Sequence, residues 1–384
     1  MNQQSADDLR LDGRSILSDT WYGTELAADS AGRIRGRASR WLITVRMALR
    51  SGRYDVILTS QGNRTIPGLI ALAGWLRLTR RRKLVLTEFL PGTRRRGVRG
   101  AVVTIAYRLL LDRVCLGIQV MTAWEVEAYA NRYRIAPQRL VHVPFYWFDD
   151  RVLTAPAPPE QRSIIMSSGR NSCDWPTLIA ALGDRDDLVI VCSTADLPTV
   201  STLAGKNVTV RCDIPRTEHD DLLAHARLLI LALEDNDRSA GHVRLLGAAT
   251  LGTPVVATGV RGIEGYDQLA VAVVPPADPQ ALRAEVERLL ADTETLTAKA
   301  DAVRTLARTR TRSDYIRDIA TMLLPAGPAR GAAAASAPVV LLPERMSPPR
   351  VDGSGADIAG DQIRDRRDSA YSAGGRPVRG WEIA

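Results

Sequence analysis

The sequence predicts an α/β protein with two doubly wound domains, each a parallel sheet with helices on both faces. Three observations lead to this prediction. Short apolar runs alternate with helical segments along most of the 384 residues. A strand with one solvent-exposed face alternates apolar and polar residues. These runs do not alternate, which favours parallel strands buried on both faces. The alternation of strands and helices is interrupted once, at the Pro-rich stretch 154–161, whose composition is typical of an interdomain linker.

The first series of elements, within residues 1–153, predicts an N-terminal Rossmann-like domain. Apolar β-branched runs predict the strands, and longer runs with helical periodicity predict the helices. We expect strands at 54–59, 83–87, 115–121 and 139–143, and helices at 33–50, 66–78, 97–112 and 125–134.

The second series, within residues 162–325, predicts a C-terminal Rossmann-like domain. We expect strands at 163–167, 188–192, 208–210, 228–231, 255–257 and 271–274, and helices at 174–182, 218–225, 279–290 and 314–324. Residues 326–384 are rich in Ala, Gly, Pro and Ser and predict a disordered tail. The cleft between the two domains is the expected ligand site.

Positive charge is concentrated in the N-terminal half. Residues 1–150 contain 24 Lys and Arg against 13 Asp and Glu, whereas the remainder contains 27 against 30. Clusters at 80–83 and 94–96, and the Arg-rich helix 33–50, are compatible with an anionic membrane surface or a phosphate-bearing substrate. A general bias toward Arg explains the same counts, and the helix also suits plain packing on the sheet. No nucleic-acid-binding signature accompanies the charge, so nucleic acid is not the expected partner.

The cysteines and the apolar segments predict a cytoplasmic protein. Four cysteines lack metal-ligand spacing and look like reduced, mostly buried thiols. The acidic, polar first residues do not resemble a signal peptide, and the apolar stretch 101–121 contains Arg108, Asp112 and Arg113, too many charges for a membrane span. We therefore expect a cytoplasmic location, with the inner membrane face as a further option.

The segment 234–258 predicts an anion-binding loop followed by a short helix, a turn and a buried strand. The first N–H groups of a helix have no partner inside it and can bind an anion. Gly241 allows the backbone to approach a ligand closely, Val243 lies beside it in the sequence, and the Ser239 hydroxyl can bind a polar group of the ligand. His242 could donate to a phosphate, although a lone histidine is as often structural.

Polar residues that follow strands predict further ligand contacts, since open α/β sheets bind ligands at this edge. Arg170, with its neighbours Gly169 and Asn171, follows strand 163–167, and an Arg there can pair with a diphosphate. Cys212 and Asp213 follow strand 208–210 at the same edge of the sheet and are therefore further candidate ligand residues. For Asp213 an ordinary turn is the alternative, and for Arg170 a surface role.

Glu88 directly follows strand 83–87 and is the candidate catalytic carboxylate. Arg170 is the second catalytic candidate, because its charge could stabilise the leaving group. At the strand's carboxyl end it could accept the proton of an attacking hydroxyl or orient that hydroxyl. A helix-cap or salt-bridge role beside Arg94–Arg96 is the alternative.

The order of these segments resembles GT-B glycosyltransferases of family 4. The resemblance covers roughly residues 50–325 and rests on segments 121–129, 166–180, 207–213, 217–227, 248–258 and 275–282. It implies sugar transfer from a nucleotide sugar, a UDP- or GDP-sugar, to a glycan, lipid-linked or small-molecule acceptor. It further implies that Cys212 and Asp213 contact the nucleobase and that Ser239 contacts a hydroxyl of the donor sugar. It also implies retention of anomeric configuration, no metal ion or other cofactor, and a role in polysaccharide biosynthesis.

Three features depart from the family pattern. Ser239 and Gly247 stand where the family has a pair of glutamates, and Asp174 stands near the position of a phosphate-binding lysine. The glycine-rich first loop is replaced by residues 15–23. These departures leave a second hypothesis open, a non-catalytic sugar-nucleotide-binding relative that acts as a scaffold or partner subunit.

Overall fold

The computed structural model describes residues 14–26, 28–32, 37–91, 97–149 and 157–323. The following predicted features lie outside these residues: the tail, the Arg94–Arg96 cluster, the start of helix 33–50, and residues 154–156 of the linker. The described elements confirm the α/β class, because they form two parallel six-stranded sheets with helices between the strands.

The first sheet belongs to the N-terminal half and has the strand order β2-β1-β3-β4-β5-β6. Its strands are β1 (Ile16–Ser18), β2 (Asp29–Ser30), β3 (Val56–Ser60), β4 (Leu84–Thr87), β5 (Cys115–Val120) and β6 (Leu140–His142). The helices of this half are α1 (Arg37–Arg50), α2 (Ile66–Leu78), α3 (Gly97–Val114) and α4 (Trp124–Tyr133). Helix α1 packs on α2, and α2 packs on α3.

The second sheet belongs to the C-terminal half and has the order β12-β11-β10-β7-β8-β9. Its strands are β7 (Ile164–Ser168), β8 (Leu188–Cys192), β9 (Thr209–Cys212), β10 (Ala226–Leu231), β11 (Val255–Thr258) and β12 (Ala272–Val274). The helices are α5 (Trp175–Leu182), α6 (Leu197–Leu203), α7 (Arg216–Ala224), α8 (His242–Leu251), α9 (Pro279–Ala291), α10 (Thr293–Ala307) and α11 (Arg312–Leu323).

Four elements were not predicted: β1, β2, α6 and α10. Strand β1 has only three residues, too few for a periodic signal, yet it lies between β2 and β3 and is fully buried. Helix α10 is rich in Thr and charged residues, and its buried residues are only Leu296, Ala300 and Ala307. Packing against α8 and α9, rather than a strong apolar stripe, accounts for this helix.

The last helix, α11, packs against the first sheet. Its Tyr315 hydroxyl donates to Oε1 of Gln119 in β5 at 3.2 Å. A Cβ added at Gly117 of β5 would lie 3.3 Å from Cε of Met322, so a glycine keeps room for the helix there. The chain therefore returns to its N-terminal half after completing the second sheet.

The two halves also touch at the carboxyl end of β5. Tyr266 donates its hydroxyl to the carbonyl of Met121 at 3.1 Å and accepts from the N–H of Phe145 at 2.7 Å. The hydroxyls of Thr122 and Ser239 lie 3.2 Å apart. The carboxyl end of the first sheet is therefore joined to the loop that precedes α8.

Candidate functional site

Most of the predicted ligand residues of the C-terminal half lie along the carboxyl edge of the second sheet. Because β7, β8 and β9 are parallel neighbours, the loops that follow β7 and β9 leave the sheet at the same edge. The N–H of Gly169 donates to Val191 of β8, and the N–H of Asp213 donates to Cys192. These two bonds hold the start of each loop beside the end of β8.

Arg170 and Asp213 form an ion pair, with Nη2 of Arg170 2.5 Å from Oδ1 of Asp213. Thr194 donates to the same carboxylate through its N–H, at 3.1 Å, and through its hydroxyl. Burial raises the pKa of Asp213, but the hydrogen bonds from Thr194 and the charge of Arg170 outweigh it, so this pKa is lowered. The Sγ atom of Cys212 lies 3.6 Å from the Thr194 hydroxyl.

Arg244 in α8 is a second cation at this edge, and the sequence reasoning missed it. Its guanidinium donates to the carbonyl of Ser168 and, at 3.5 Å, to the carbonyl of Asn171. A Cβ at Gly169 would overlap both this guanidinium and Sγ of Cys173. Gly169 is thus the residue that lets Arg244 lie across the loop after β7.

Asp174, at the position of the family's lysine, has a structural role here. Its carboxylate accepts from the N–H of Thr177 at 3.1 Å and from the Thr177 hydroxyl at 2.7 Å. This is the pattern of an N-cap, which satisfies a donor that has no partner inside helix α5. Arg244 supplies a positive charge to the same loop from a different helix.

Helix α8 follows Gly241, a residue that has no side chain with which to cap the helix. Gly241 is the N-cap residue, with a φ of 84° that favours glycine, and within the described part of the chain no side-chain bond caps this helix start. A Cβ at Gly241 would meet Leu231 and Leu233 at 3.0 Å. Val243 is 60% exposed, so the first turn of the helix is open to solvent.

The side chains of Ser239 and His242 face inward. Ser239 is buried against Thr122 of the N-terminal half. The His242 ring stacks on Tyr266, with centroids 3.8 Å apart, and its Nε2 lies 2.8 Å from the carbonyl of Gly262. Burial, together with the charge of Arg244, lowers the pKa of His242 to about 4 and keeps the ring neutral. The imidazole therefore has a structural role: it packs on Tyr266 and binds the backbone at Gly262.

Glu88 lies at the carboxyl edge of the first sheet, in a cluster of polar groups. Its Oε2 accepts from the hydroxyl of Ser60, at the end of β3, while its Oε1 is buried with no hydrogen-bond partner among the described residues. Burial raises the pKa of Glu88. Its backbone is left-handed, with a φ of 52°, and its N–H donates to Oε1 of Gln119 at 3.0 Å. Such strain is common where a side chain is held for function.

A buried ion pair supports the same edge and was also missed from the sequence. Nη2 of Arg64 lies 2.7 Å from Oδ2 of Asp19, and both side chains are fully buried. Arg64 also donates to Thr59 at 3.1 Å and to Thr44 at 3.2 Å. The signal that could have found it is the polar run 60–64 directly after β3, because polar residues after a parallel strand mark the ligand edge.

The structure thus forms two groups of predicted residues. Gly169, Arg170, Asn171, Cys212 and Asp213 share one edge with the start of α8, whereas Glu88 lies on the first sheet. The end of β5 connects the groups, because Gln119 binds Glu88 and Thr122 contacts Ser239. Within the described residues, no group of three or more His, Cys, Asp or Glu side chains is placed to hold a metal ion. The expectation of a metal-free reaction stays a prediction.

Residues 174–292, which include α5 to α9, match the model of the family described as glycosyl transferases group 1. Solved structures agree over most of the chain. The UDP complex of HepE from Anabaena is 15% identical, with a TM-score of 0.60, over 80% of this chain and 91% of that one. The fold is that of the GT-B glycosyltransferases. The predicted resemblance to GT-B glycosyltransferases is therefore confirmed, whereas the assignment to family 4 stays a prediction.

Two further GT-B structures show the same likeness. Sucrose-phosphate synthase from Thermosynechococcus elongatus is 17% identical, with a TM-score of 0.55, over 80% of this chain and 82% of that one. A glycosyltransferase from Rickettsia africae is 12% identical, with a TM-score of 0.57, over 84% and 95%. No curated protein matches the chain in sequence. At such identities the structures establish the GT-B fold.

Proposed function

We propose that this protein is a glycosyltransferase that takes its sugar from a nucleotide sugar and transfers it with retained configuration. The observation that carries the proposal is the anion site at the carboxyl edge of the second sheet. There the uncapped start of α8, Arg244 and the loop 169–171 meet within a GT-B fold. Helix N–H groups and a guanidinium both favour a diphosphate, and they would stabilise the charge that develops as the nucleotide leaves.

The proposed donor is a UDP- or GDP-sugar. HepE, which has the same fold, has been crystallised with UDP and with UDP-glucose. We place the base near Cys212 and Asp213, and the diphosphate near Arg170, Arg244 and the start of α8. The pair with Asp213 holds the Arg170 guanidinium at the loop after β7.

The proposed acceptor, a glycan, a lipid-linked sugar or a small molecule, lies against the first sheet beside Glu88. The buried Oε1 of Glu88 is an acceptor atom for the proton of the attacking hydroxyl. Because configuration is retained and no protein nucleophile is proposed, this hydroxyl attacks the anomeric carbon on the face that the nucleotide leaves. Its raised pKa makes the carboxylate a stronger base than an exposed glutamate. Contact between the halves at Thr122 and Ser239 would exclude water and so limit hydrolysis of the donor.

We propose that the reaction needs no metal ion or other cofactor and that it serves polysaccharide biosynthesis in the cytoplasm. All four cysteines are free thiols in the structure, and Cys115 and Cys192 are buried. A reducing compartment suits such a set.

Donor binding is tested by thermal unfolding of the full chain with UDP-, GDP- and TDP-sugars, since a ligand that binds the folded state raises the melting temperature. We expect a rise with a UDP- or GDP-sugar. Arg244→Gln should weaken this binding by about tenfold or more, because a charge-assisted hydrogen bond is lost. Lys206→Gln, which removes a positive charge at an exposed position before β9, is the control. No rise with any sugar nucleotide would overturn the proposal.

A second candidate function is that of a non-catalytic sugar-nucleotide-binding subunit. The observation in its favour is the absence of carboxylates at Ser239 and Gly247 from an otherwise matching segment. Release of free nucleotide from the bound donor, measured with a panel of acceptors, separates the two functions. Binding without any release, across all acceptors, would favour the scaffold.

A further inference from the structure

Three neighbouring helices of the N-terminal half expose an unusual amount of apolar surface. Of the fourteen large apolar side chains exposed in the described part of the chain, ten belong to α1, α2 and α3. Single exposed apolar residues need no explanation, but a continuous group of them marks an interaction surface. We call this surface the three-helix face.

Each helix contributes a stripe along its length. In α1 the stripe contains Trp41, Leu42, Val45 and Leu49, with Leu42 70% and Leu49 71% exposed. The spacing of four between Trp41, Val45 and Leu49 places these side chains on one side of the helix. Because the buried side of α1 already packs on α2, this stripe is a second apolar surface rather than the core side.

Helix α2 lies between the other two and has an almost wholly apolar exposed side. Pro67, Ala71, Trp75 and Leu78 are exposed, with Leu78 78% exposed. A Cβ at Gly74 would meet nothing within 4 Å, so this position also opens to solvent.

Helix α3 completes the face with Val98, Val102, Ile105 and Leu109, which are between 54% and 82% exposed. Their spacing of four, three and four follows the helical repeat. Since α1 packs on α2 and α2 on α3, the three stripes are neighbours on one side of the molecule.

Arginines surround the C-terminal ends of these helices. Arg77, Arg80, Arg81, Arg82 and Arg113 line a cavity of about 320 Å³ there, together with Leu76. Over residues 37–114 the sequence has 17 Lys and Arg and three Asp and Glu, a net charge of +14. Of the three acids, Asp112 pairs with Arg139 and Glu88 lies at the candidate site.

We propose that the three-helix face docks on the surface of an anionic lipid bilayer. Apolar stripes that lie in the plane of the interface can enter the boundary between headgroups and acyl chains, while arginines at their ends bind lipid phosphates. A soluble polyanion would leave the apolar stripes uncovered. A two-fold dimer through this face would bring two sets of arginines together, which charge repulsion opposes. Among the described helices, none has the length and apolar character to cross a bilayer.

The docking leaves the candidate site accessible. Helices that connect neighbouring parallel strands run opposite to them, so the arginine-rich helix ends lie at the amino edge of the first sheet. Glu88 lies at the carboxyl edge. This inference does not depend on the proposed sugar transfer, since it concerns a separate surface and needs no donor.

Sedimentation of the full chain with lipid vesicles tests the proposal. We expect binding to vesicles that contain phosphatidylglycerol and much weaker binding to phosphatidylcholine alone. The pair Leu78→Glu and Val102→Glu should lower the partition coefficient by about tenfold or more, because charges replace apolar surface that enters the interface. The pair Arg77→Gln and Arg113→Gln should lower it similarly for phosphatidylglycerol vesicles.

The matched control is the pair Leu203→Glu and Val273→Glu, two exposed positions of the C-terminal half that should leave binding unchanged. Thermal unfolding of each variant checks that it is folded. Vesicle binding that is equal in the three-helix variants and the wild type would overturn the proposal. So would a wild-type dimer in sedimentation velocity that the first pair dissociates and that does not bind vesicles.

Discussion

At the scale of single residues, Glu88 shows how burial changes what a carboxyl group can do. Its raised pKa means that the carboxylate form is reached only above the usual range of a glutamate, near 4.5. A base must be deprotonated to accept a proton, so the activity should fall as the pH falls through the pKa of Glu88. Ser60 and Gln119 hold the group in place whichever form it takes.

We therefore expect Glu88→Gln to lower kcat by about a hundredfold or more while the donor still binds, since an amide cannot accept the proton. The acidic limb of the profile of kcat/KM against pH should disappear in this variant. Glu127→Gln, at an exposed position of α4, is the control and should retain the limb. Full transfer activity in Glu88→Gln would show that Glu88 only supports the loop.

His242 gives a second prediction, about stability. Its folded pKa of about 4 lies below the ordinary value of 6.5, so the unfolded chain binds the proton first as the pH falls. The free energy of unfolding should then decrease between pH 6.5 and pH 4, by about 3 kcal/mol at most from this group. His242→Phe keeps an aromatic ring on Tyr266 but cannot titrate, so its stability should fall less over this range.

Urea unfolding of the wild type and the variant at pH 7 and pH 5 measures the difference. His225→Gln is the control, because that side chain is 45% exposed. Parallel losses of stability in wild type and His242→Phe would contradict the prediction. The Glu88 carboxyl works in the opposite direction, since a raised carboxyl pKa favours the folded state at low pH, and the comparison of variants removes its contribution.

At the scale of elements, the loop after β7 and helix α8 depend on each other at Gly169. The φ of Gly169 needs no glycine, so the restriction comes from the space that Arg244 and Cys173 occupy. Gly169→Ala should displace the Arg244 guanidinium, reduce stability by about 1–2 kcal/mol and weaken donor binding. Gly74→Ala, which adds a methyl group in open space, should not lower the free energy of unfolding.

A double-mutant cycle of Gly169→Ala and Arg244→Gln checks this coupling by urea unfolding. In the Arg244→Gln background the alanine should lower the free energy of unfolding by less than it does in the wild type, because one of the two overlaps is removed while that with Cys173 remains. If the losses in unfolding free energy of the two single variants add up to the loss in the double variant, the two residues do not interact.

Whether a feature could be predicted from the sequence depends on the type of element that contains it. Most of the strands were predicted because buried parallel strands are short apolar runs, and the loops after them were recognised by their polar residues. Arg244 was missed because it lies in a helix among apolar residues, and no local sequence pattern marks it as a ligand residue. Its guanidinium reaches the loop at Gly169 only because the chain turns at Gly241. The contact of α11 with β5 was missed for a similar reason, since an amphipathic helix does not specify its partner.

At the scale of the whole molecule, one hydrophobic cluster contains residues of both halves. Tyr22 and Phe145 from the N-terminal half share it with Leu231 and Tyr266 from the C-terminal half, and with Tyr315 from the last helix. The ring of Tyr315 stacks on Phe145 at 5.0 Å. Two halves joined by such a core should lose their structure together.

Tyr266→Phe tests this connection. The variant keeps the ring on His242 but leaves the buried N–H of Phe145 without its partner, so the free energy of unfolding should fall by about 1–3 kcal/mol. Tyr54→Phe, which removes a surface hydroxyl bonded to Asp29 within the N-terminal half, should cost less than about 0.5 kcal/mol. Urea unfolding followed by tryptophan fluorescence and by circular dichroism should give one coincident transition in all three proteins. Two separate transitions in the wild type would mean that the halves unfold independently and that the shared core does not couple them.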